Sequence, residues 1–314
     1  MTSPARTGTK PKIVAAVDVG SNSIKMSVAR LNNDGAIEIL HESSEAVRLG
    51  AGTAATGVLA DDRVEAGRQC LIRFSGIARS FGAERLVGVA TEAVRRASNG
   101  RAFLDRVRAD SGWDVVLLSG DEEAALTFRG LAMVMDLPGQ VVVADIGGAS
   151  TEVIRATSRT ITSAISLRLG SGSLTDAHIT ADPPTHLELD TCRSVAYQTL
   201  SQVDFSGAAT DSLIITGGTG VYLAMLVSDP ATIGPLDVDR ALQQAASVTS
   251  VRLAARLDIP EARARVLPAG IAIVQALISH VRPPRIETAQ SGLRMGLIVD
   301  LLLPVGDPTS RGRS

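Results

Sequence analysis

The chain has 314 residues, 45% hydrophobic and only 3% aromatic, with 31 basic against 33 acidic side chains and a net charge of -2. That is enough chain for two domains with cores of Ala, Val, Leu and Ile, and it lacks the basic excess of a nucleic-acid binder. Cys70 and Cys192 stand far apart without metal-ligand spacing, which fits free thiols in a reducing compartment and excludes a cysteine metal site.

Residues 1–11 have no apolar signal core and read as a tail. No apolar run reaches the roughly 18 residues of a membrane span, so a cytoplasmic protein with no membrane and no nucleic-acid partner is expected. Strands are predicted at Ile13–Asp18 and Ile24–Leu31, joined by the turn Gly20-Ser21-Asn22-Ser23, with a third at Ala36–His41. Helical spacing covers Asp61–Phe81. A strand at Arg85–Ala90, helical segments over Glu92–Ala109, a strand at Trp113–Leu118 and a helix from Asp121 follow.

After Leu137-Pro138-Gly139 the scheme restarts. Strands are predicted at Val141–Asp145, Thr151–Ala156 and Thr160–Leu167, then a helix over Pro183–Val203, a strand at Leu213–Thr216 and a helix at Gly220–Val227. The last third is mainly helical, punctuated by Pro260 and Pro268, and ends in a helix over Ser291–Leu303. This is an α/β chain in two halves, 12–137 and 138–304, with a second tail at 305–314.

The halves open alike. Each runs strand, Asp, Gly-containing turn, Ser or Thr, second strand: DVGSNSIKM from Asp18 and ADIGGASTEV from Ala144. Such an internal duplication predicts two similar domains facing each other across a cleft, where ligands bind readily. Gly20, Ser21, Asn22 and Ser23 in one turn, and Gly147, Gly148, Ala149, Ser150 and Thr151 in the other, can aim backbone N–H groups at phosphate oxygens. An Asp at the strand end, Asp18 or Asp145, can hold Mg²⁺ directly or through water. Two ordinary tight hairpins would explain either turn alone, but less readily the matched pair. Gly217, Gly218 and Thr219 open a helix after a strand, which suits either an anion site or a plain connecting turn.

Ser119 with Glu122 makes a capping box, and acids favour a helix N-terminus. That accounts for Asp121 and Glu122 and leaves Glu123 without a structural job. Arg95 and Arg96 read as a solvated basic pair or, for Arg95, as a guanidinium clamp on phosphate oxygens. His41, His178, His186 and His280 are scattered, and Gln243, Gln244, Arg263 and Arg265 read as helix surface.

The two turns resemble the phosphate loops of the actin-like ATPase superfamily, which includes sugar kinases and chaperone ATPases. More narrowly, the chain resembles the exopolyphosphatase and guanosine pentaphosphate phosphatase (Ppx/GppA) family from about Ile13 to Leu303. The narrower likeness rests on VATEAVRRASNG, LSGDEEAALTFRG, SLRLGSGSLTD, ITGGTG, VLPAGIAIVQALI and GLRMGLIVDLL in that order.

The resemblance implies two actin-like (ribonuclease H-like) α/β domains, with a last helix able to pack back on the first. It implies Glu123 as general base toward the attacking water, Arg95 at the attacked phosphate with Arg96 left as surface, and Asp145 and Glu152 at Mg²⁺ with Asp18 opposite. It also implies a homodimer, which no feature of this sequence shows. The substrate it implies is inorganic polyphosphate, with a phosphorylated guanine nucleotide as the alternative. An actin-like kinase is disfavoured, because the SGDEEA and TEAVRR stretches go with the hydrolases, and a non-catalytic phosphate sensor is the remaining alternative.

The chain departs from the family pattern at three places. Ala149 replaces the third loop glycine, so either φ is negative there or the loop is strained. Ser173 stands where an Arg is common, which removes one phosphate contact. Met295 replaces a common Glu.

Overall fold

The computed structural model describes residues 13–205, 209–230 and 233–303. The tails expected at 1–11 and 305–314 lie outside the described residues. Two five-stranded sheets make the frame. The first contains β1 (Ile13–Val19), β2 (Ile24–Leu31), β3 (Ile37–Glu45), β4 (Arg85–Ala90) and β5 (Asp114–Leu117), in the order β3-β2-β1-β4-β5. The second contains β6 (Gln140–Ile146), β7 (Thr151–Thr157), β8 (Thr160–Leu167), β9 (Ser212–Thr216) and β10 (Ile286–Thr288), in the order β10-β9-β6-β7-β8.

The two orders are the same pattern repeated. In each sheet the first three strands form an antiparallel meander, and two more add in parallel beyond the first strand. The duplication expected from the two Asp-Gly turns is therefore a duplication of topology. β1 and β6 are central and covered on both faces, which is why Val14–Val17 and Val141–Ala144 read as unbroken apolar runs.

The helices are α1 (Thr53–Thr56), α2 (Asp61–Ser80), α3 (Glu92–Arg96), α4 (Gly100–Ser111), α5 (Gly120–Val134), α6 (Ser171–His178), α7 (His186–Leu200), α8 (Gly217–Ala224), α9 (Pro235–Ala246), α10 (Ser250–Leu257), α11 (Glu261–Val281) and α12 (Leu293–Leu302). α2 and α4 cover one face of the first sheet through Leu71, Phe74, Phe103 and Val107. Trp113 is buried among them and donates its indole N–H to the Leu71 carbonyl at 2.9 Å. α11 is the core helix of the second lobe, packed by α7, α9, α6 and α10. By length and composition it could cross a membrane, although no such run was expected from the sequence. Here its apolar surface is largely buried inside the fold. The helix also runs straight through Pro268, which therefore does not punctuate the chain as expected.

The other faces are covered by exchange. α5, which ends the first half of the sequence, packs Ala124, Phe128 and Leu131 on Val141, Val143 and Ile154 of the second sheet. α12, from the end of the chain, returns to the first sheet and packs Leu293, Leu297, Ile298 and Leu302 on Val14, Ala16 and Ala29. The two helices cross at backbone distance: a Cβ built on Gly296 would lie 1.9 Å from the Leu126 carbonyl oxygen. Arg129 on α5 pairs with Asp300 on α12 beside the crossing.

Candidate active site

β1 and β6 end side by side at the cleft, each delivering an Asp at its carboxyl end, the usual place for a ligand in an open α/β sheet. The following turns close on themselves: Gly20 N donates to Ser23 O at 3.1 Å, and Gly147 N to Ser150 O at 2.9 Å. The two loops touch. A Cβ on Gly148 would sit 2.8 Å from Asn22 Cβ, so glycine is needed there for close approach. Ala149 is not in the left-handed region. Its φ is negative and its replacement of glycine carries no backbone strain.

Behind the loops lies a cavity of about 140 Å³ lined by Asp18, Gly20, Ser21, Asn22, Ser23, Gly147, Gly148, Ser150, Glu123, Asp145, Glu152, Gly217, Gly218 and Thr219, among others. Most of the expected site residues thus converge on one space. Two loop residues do not line it. Thr151 is fully buried and donates its hydroxyl to the Leu169 carbonyl. Ala149 opens instead on a second cavity across the loops, as does Ser173, whose hydroxyl is engaged with the Gly170 backbone. Met295, the third departure, lines the first cavity.

Five carboxylates line this space: Glu42, which pairs with Arg294, and the four of Asp18, Glu123, Asp145 and Glu152. Asp145 and Glu152 are direct cross-strand partners in the β6–β7 hairpin, so they point to the same face. Asp145 accepts from Thr127 Oγ1 at 3.0 Å and Glu152 from Ser166 Oγ at 2.6 Å. Burial pushes the pKa of each of Asp18, Asp145, Glu123 and Glu152 above the ordinary carboxylate range. For Glu123 the negative charges of Glu152, Asp145 and Asp18 add to this, while Arg95 opposes it.

The sequence puts Glu123 there by a local device. Ser119 Oγ caps the Glu122 N–H, and the Glu122 carboxylate accepts from Ser119 N at 2.7 Å. This commits Glu122 to the cap and lowers its pKa through the Ser119 hydrogen bonds. Its neighbour Glu123 turns inward and is 6% exposed. Two adjacent acids are thereby driven to opposite ends of the titration range.

Arg95 on α3 meets Glu123 at 3.4 Å, donates to the Leu118 carbonyl at 2.5 Å and pairs with Glu92 at 2.5 Å. Its guanidinium is spent on protein groups and does not line the cavity, so here it braces Glu123. Arg96 reaches toward Glu92 at 3.7 Å and lines the second cavity.

Three further cations line the site. Lys25 is the cross-strand partner of Asp18. It is half-buried, and desolvation, reinforced by the charges of Arg263 and Arg294, lowers its pKa to about 8. Arg263 is 7% exposed, so its reading as helix surface is wrong; burial drives its pKa down. It sits on the buried side of α11 at 6.0 Å from the Tyr222 ring centroid. Its neighbour in the expected surface pair, Arg265, does not line the cavity; it is partly buried and donates to the Ala181 carbonyl at 2.6 Å. Arg294 on α12 pairs with Glu42 at 3.0 Å. Lys25 was legible by pairing Asp18 across the tight turn. Arg263 and Arg294 are brought in by tertiary packing and carry no local signal.

Ser23 Oγ, Arg263 Nη2 and Arg294 Nε are buried with no hydrogen-bond partner among the described residues. All three residues line the same cavity. Buried donors are normally satisfied, so this cluster has the chemistry of a site that receives an anion.

Among the described residues no group of three or more His, Cys, Asp and Glu closes on one point to hold a metal unaided. The donors that do face each other are carboxylate oxygens, the hard ligands that suit Mg²⁺. That ion commonly takes one or two carboxylates and completes its shell with water and substrate phosphates. The residues present fit such an ion.

The Ppx/GppA phosphatase family profile matches residues 27–304. A curated relative, the guanosine-5'-triphosphate,3'-diphosphate pyrophosphatase of Vibrio atlanticus, is 28% identical over 93% of this chain. The chain spans 60% of that relative's length. Among solved structures, the Aquifex aeolicus member of the Ppx/GppA family is 29% identical and superposes with a TM-score of 0.75, covering 92% of this chain and 97% of that one. An exopolyphosphatase from Cytophaga hutchinsonii, 22% identical, has the same fold at a TM-score of 0.83, covering 92% of this chain and 97% of its own. With two actin-like lobes, paired Asp-Gly hairpins and this match over most of its length, the chain belongs to the Ppx/GppA phosphatase family.

Proposed function

We propose that the protein is a Mg²⁺-dependent exopolyphosphatase that hydrolyses the terminal phosphoanhydride of inorganic polyphosphate and releases orthophosphate. The observation that carries this reading is the convergence of Glu123, two facing loops and three unpartnered donors on one buried cavity. The loops hold the terminal phosphoryl group, and Ser23, Arg263 and Arg294 meet the anion's oxygens. Glu123 in its ionised form, which a bound cation would favour against its raised pKa, orients a water and takes its proton as the water oxygen bonds to phosphorus. The bridging P–O bond breaks, and the chain leaves one phosphate shorter. Arg95 braces Glu123 from behind. Asp145 and Glu152, with Asp18 opposite, would hold Mg²⁺, which when bound spreads the charge on the phosphoryl oxygens.

A second reading, hydrolysis of guanosine pentaphosphate at its 5' phosphate, is favoured by the name of the Vibrio relative and by the Tyr222 ring in the cavity wall. Phosphate release is measured side by side on polyphosphates of graded length and on the nucleotide, with Mg²⁺ present. Faster turnover of the nucleotide than of any polyphosphate would overturn the first reading. Binding without release of phosphate from any of them would point to a sensor.

A further inference from the structure

The two loops are a thin partition. Ser21, Asn22 and Gly148 line the catalytic cavity on one side and a second cavity, of about 300 Å³, on the other. That volume is at the lower end for a small-molecule site. The walls come from both lobes. The first contributes Arg48, Gly50–Ala55 and α3, and the second contributes Arg168 and the start of α6.

Its charge is uneven. Arg48, Arg96 and Arg168 line it against Glu92 and Asp176. Both acids are already engaged: Asp176 with Arg48 at 2.5 Å, and Glu92 with Arg95 at 2.5 Å and with Arg96. Arg168 has no ion-pair partner among the described residues and is exposed. A cleft with low-dielectric walls concentrates such a charge. A second observation is independent of charge. Thr53 also lines this cavity, is 6% exposed, and its hydroxyl has no hydrogen-bond partner among the described residues. In the first turn of α6, Ser171 N and Ser173 N are not spare, because they donate to the Gly147 and Gly148 carbonyls. The side-chain donors on offer are Thr53 and the guanidinium groups, in a lining otherwise rich in Gly and Ala.

We propose that this second cavity is a phosphate-type oxyanion site, held by Arg168, Arg96 and the Thr53 hydroxyl, directly across the loops from the catalytic cavity. Its occupant is a phosphate group, either the released orthophosphate or a trailing unit of a polyphosphate chain. Which of the two it is rests on the proposed hydrolase activity; the site itself does not.

The test uses the full chain and inorganic phosphate. Equilibrium dialysis with labelled orthophosphate is run on the unaltered protein, Arg168→Glu, Arg168→Lys and Thr53→Val. One bound equivalent should weaken about tenfold or more in R168E and T53V and be largely kept in R168K. Thr53→Val removes only an unpartnered hydroxyl, so its thermal stability should not fall. kcat on tripolyphosphate should stay within about twofold. If R168E relieves inhibition by added phosphate without changing KM, the occupant is the product. If it raises KM for long polyphosphate but not for tripolyphosphate, the occupant is the trailing chain. Phosphate binding unchanged in both R168E and T53V would overturn the site. If the unaltered protein releases phosphate from no substrate, the proposed activity falls, while the dialysis still decides the site.

Discussion

Glu123 is an acid placed among acids, and the sign of its titration follows. Its folded pKa is raised by burial and by Glu152, Asp145 and Asp18, so the native state keeps a proton that the unfolded chain releases above about pH 4.3. Stability is then lost as pH rises from that value toward the folded one. Glu123→Gln removes a group that must ionise against three neighbours. It should abolish phosphate release, by about 10²-fold or more, and stabilise the fold by about 1–2 kcal/mol. Both are checked by phosphate assay and thermal melting on one preparation. Full activity in the variant would remove Glu123 from the mechanism.

Ala149 yields the opposite kind of prediction. Its φ is negative, so Ala149→Gly has no strain to relieve and only loosens the unfolded chain. Turnover should stay within about twofold, and stability should drop by about 0.4–1 kcal/mol. A large rise in kcat would mean that the loop is strained after all. At this scale the sequence was legible where a local rule left a residue over, as the capping box left Glu123. It was not legible for Arg263, whose burial depends on how α11 rolls against the second sheet.

Strands were the most legible elements. β2, β4 and β8 lie at their predicted bounds: β2 is largely buried and needs little besides its own side chains, while the edge strand β8 is set by its tight turn from β7. α6 was missed because SGSLTDAH has weak helical spacing. It is held by donation from Ser171 N and Ser173 N to the second loop, a tertiary cause. β10, only Ile286–Thr288, is recruited by pairing with β9. The crossing of α5 and α12 is where an element-level prediction is sharpest. Gly296→Ala places a methyl group against the Leu126 carbonyl and should cost about 1–3 kcal/mol through forced separation of the helices, measured by denaturant unfolding. A neutral result would mean that the helices part easily and the crossing is not tightly constrained.

For the whole molecule, the site's carboxylates tie stability to cations. Asp18, Asp145, Glu123 and Glu152 all carry raised pKa values. Without divalent ions, Tm should fall as pH is raised from 5 to 8, since the native state resists ionisation over that window. Added Mg²⁺ should flatten the slope by favouring the charged forms, and Glu152→Gln should flatten it without the ion. A pH-independent Tm in EDTA would contradict the electrostatic picture. The two-lobed frame itself was readable from the repeated Asp-Gly hairpins, but the helix exchange between lobes was not, because α5 and α12 are apolar in ways that suit either sheet.

That exchange bears on how the chain is made. During synthesis β1 and β2 emerge long before the helix that covers Val14, Ala16 and Ala29, which is α12. Until then one side of the first sheet stays open to water and to other nascent chains. The second lobe has its own cover, α5, before its strands exist. Of the two lobes, the one translated first is therefore finished last, and a chain stopped short of Leu293 should need a chaperone's shelter that a chain carrying α12 outgrows.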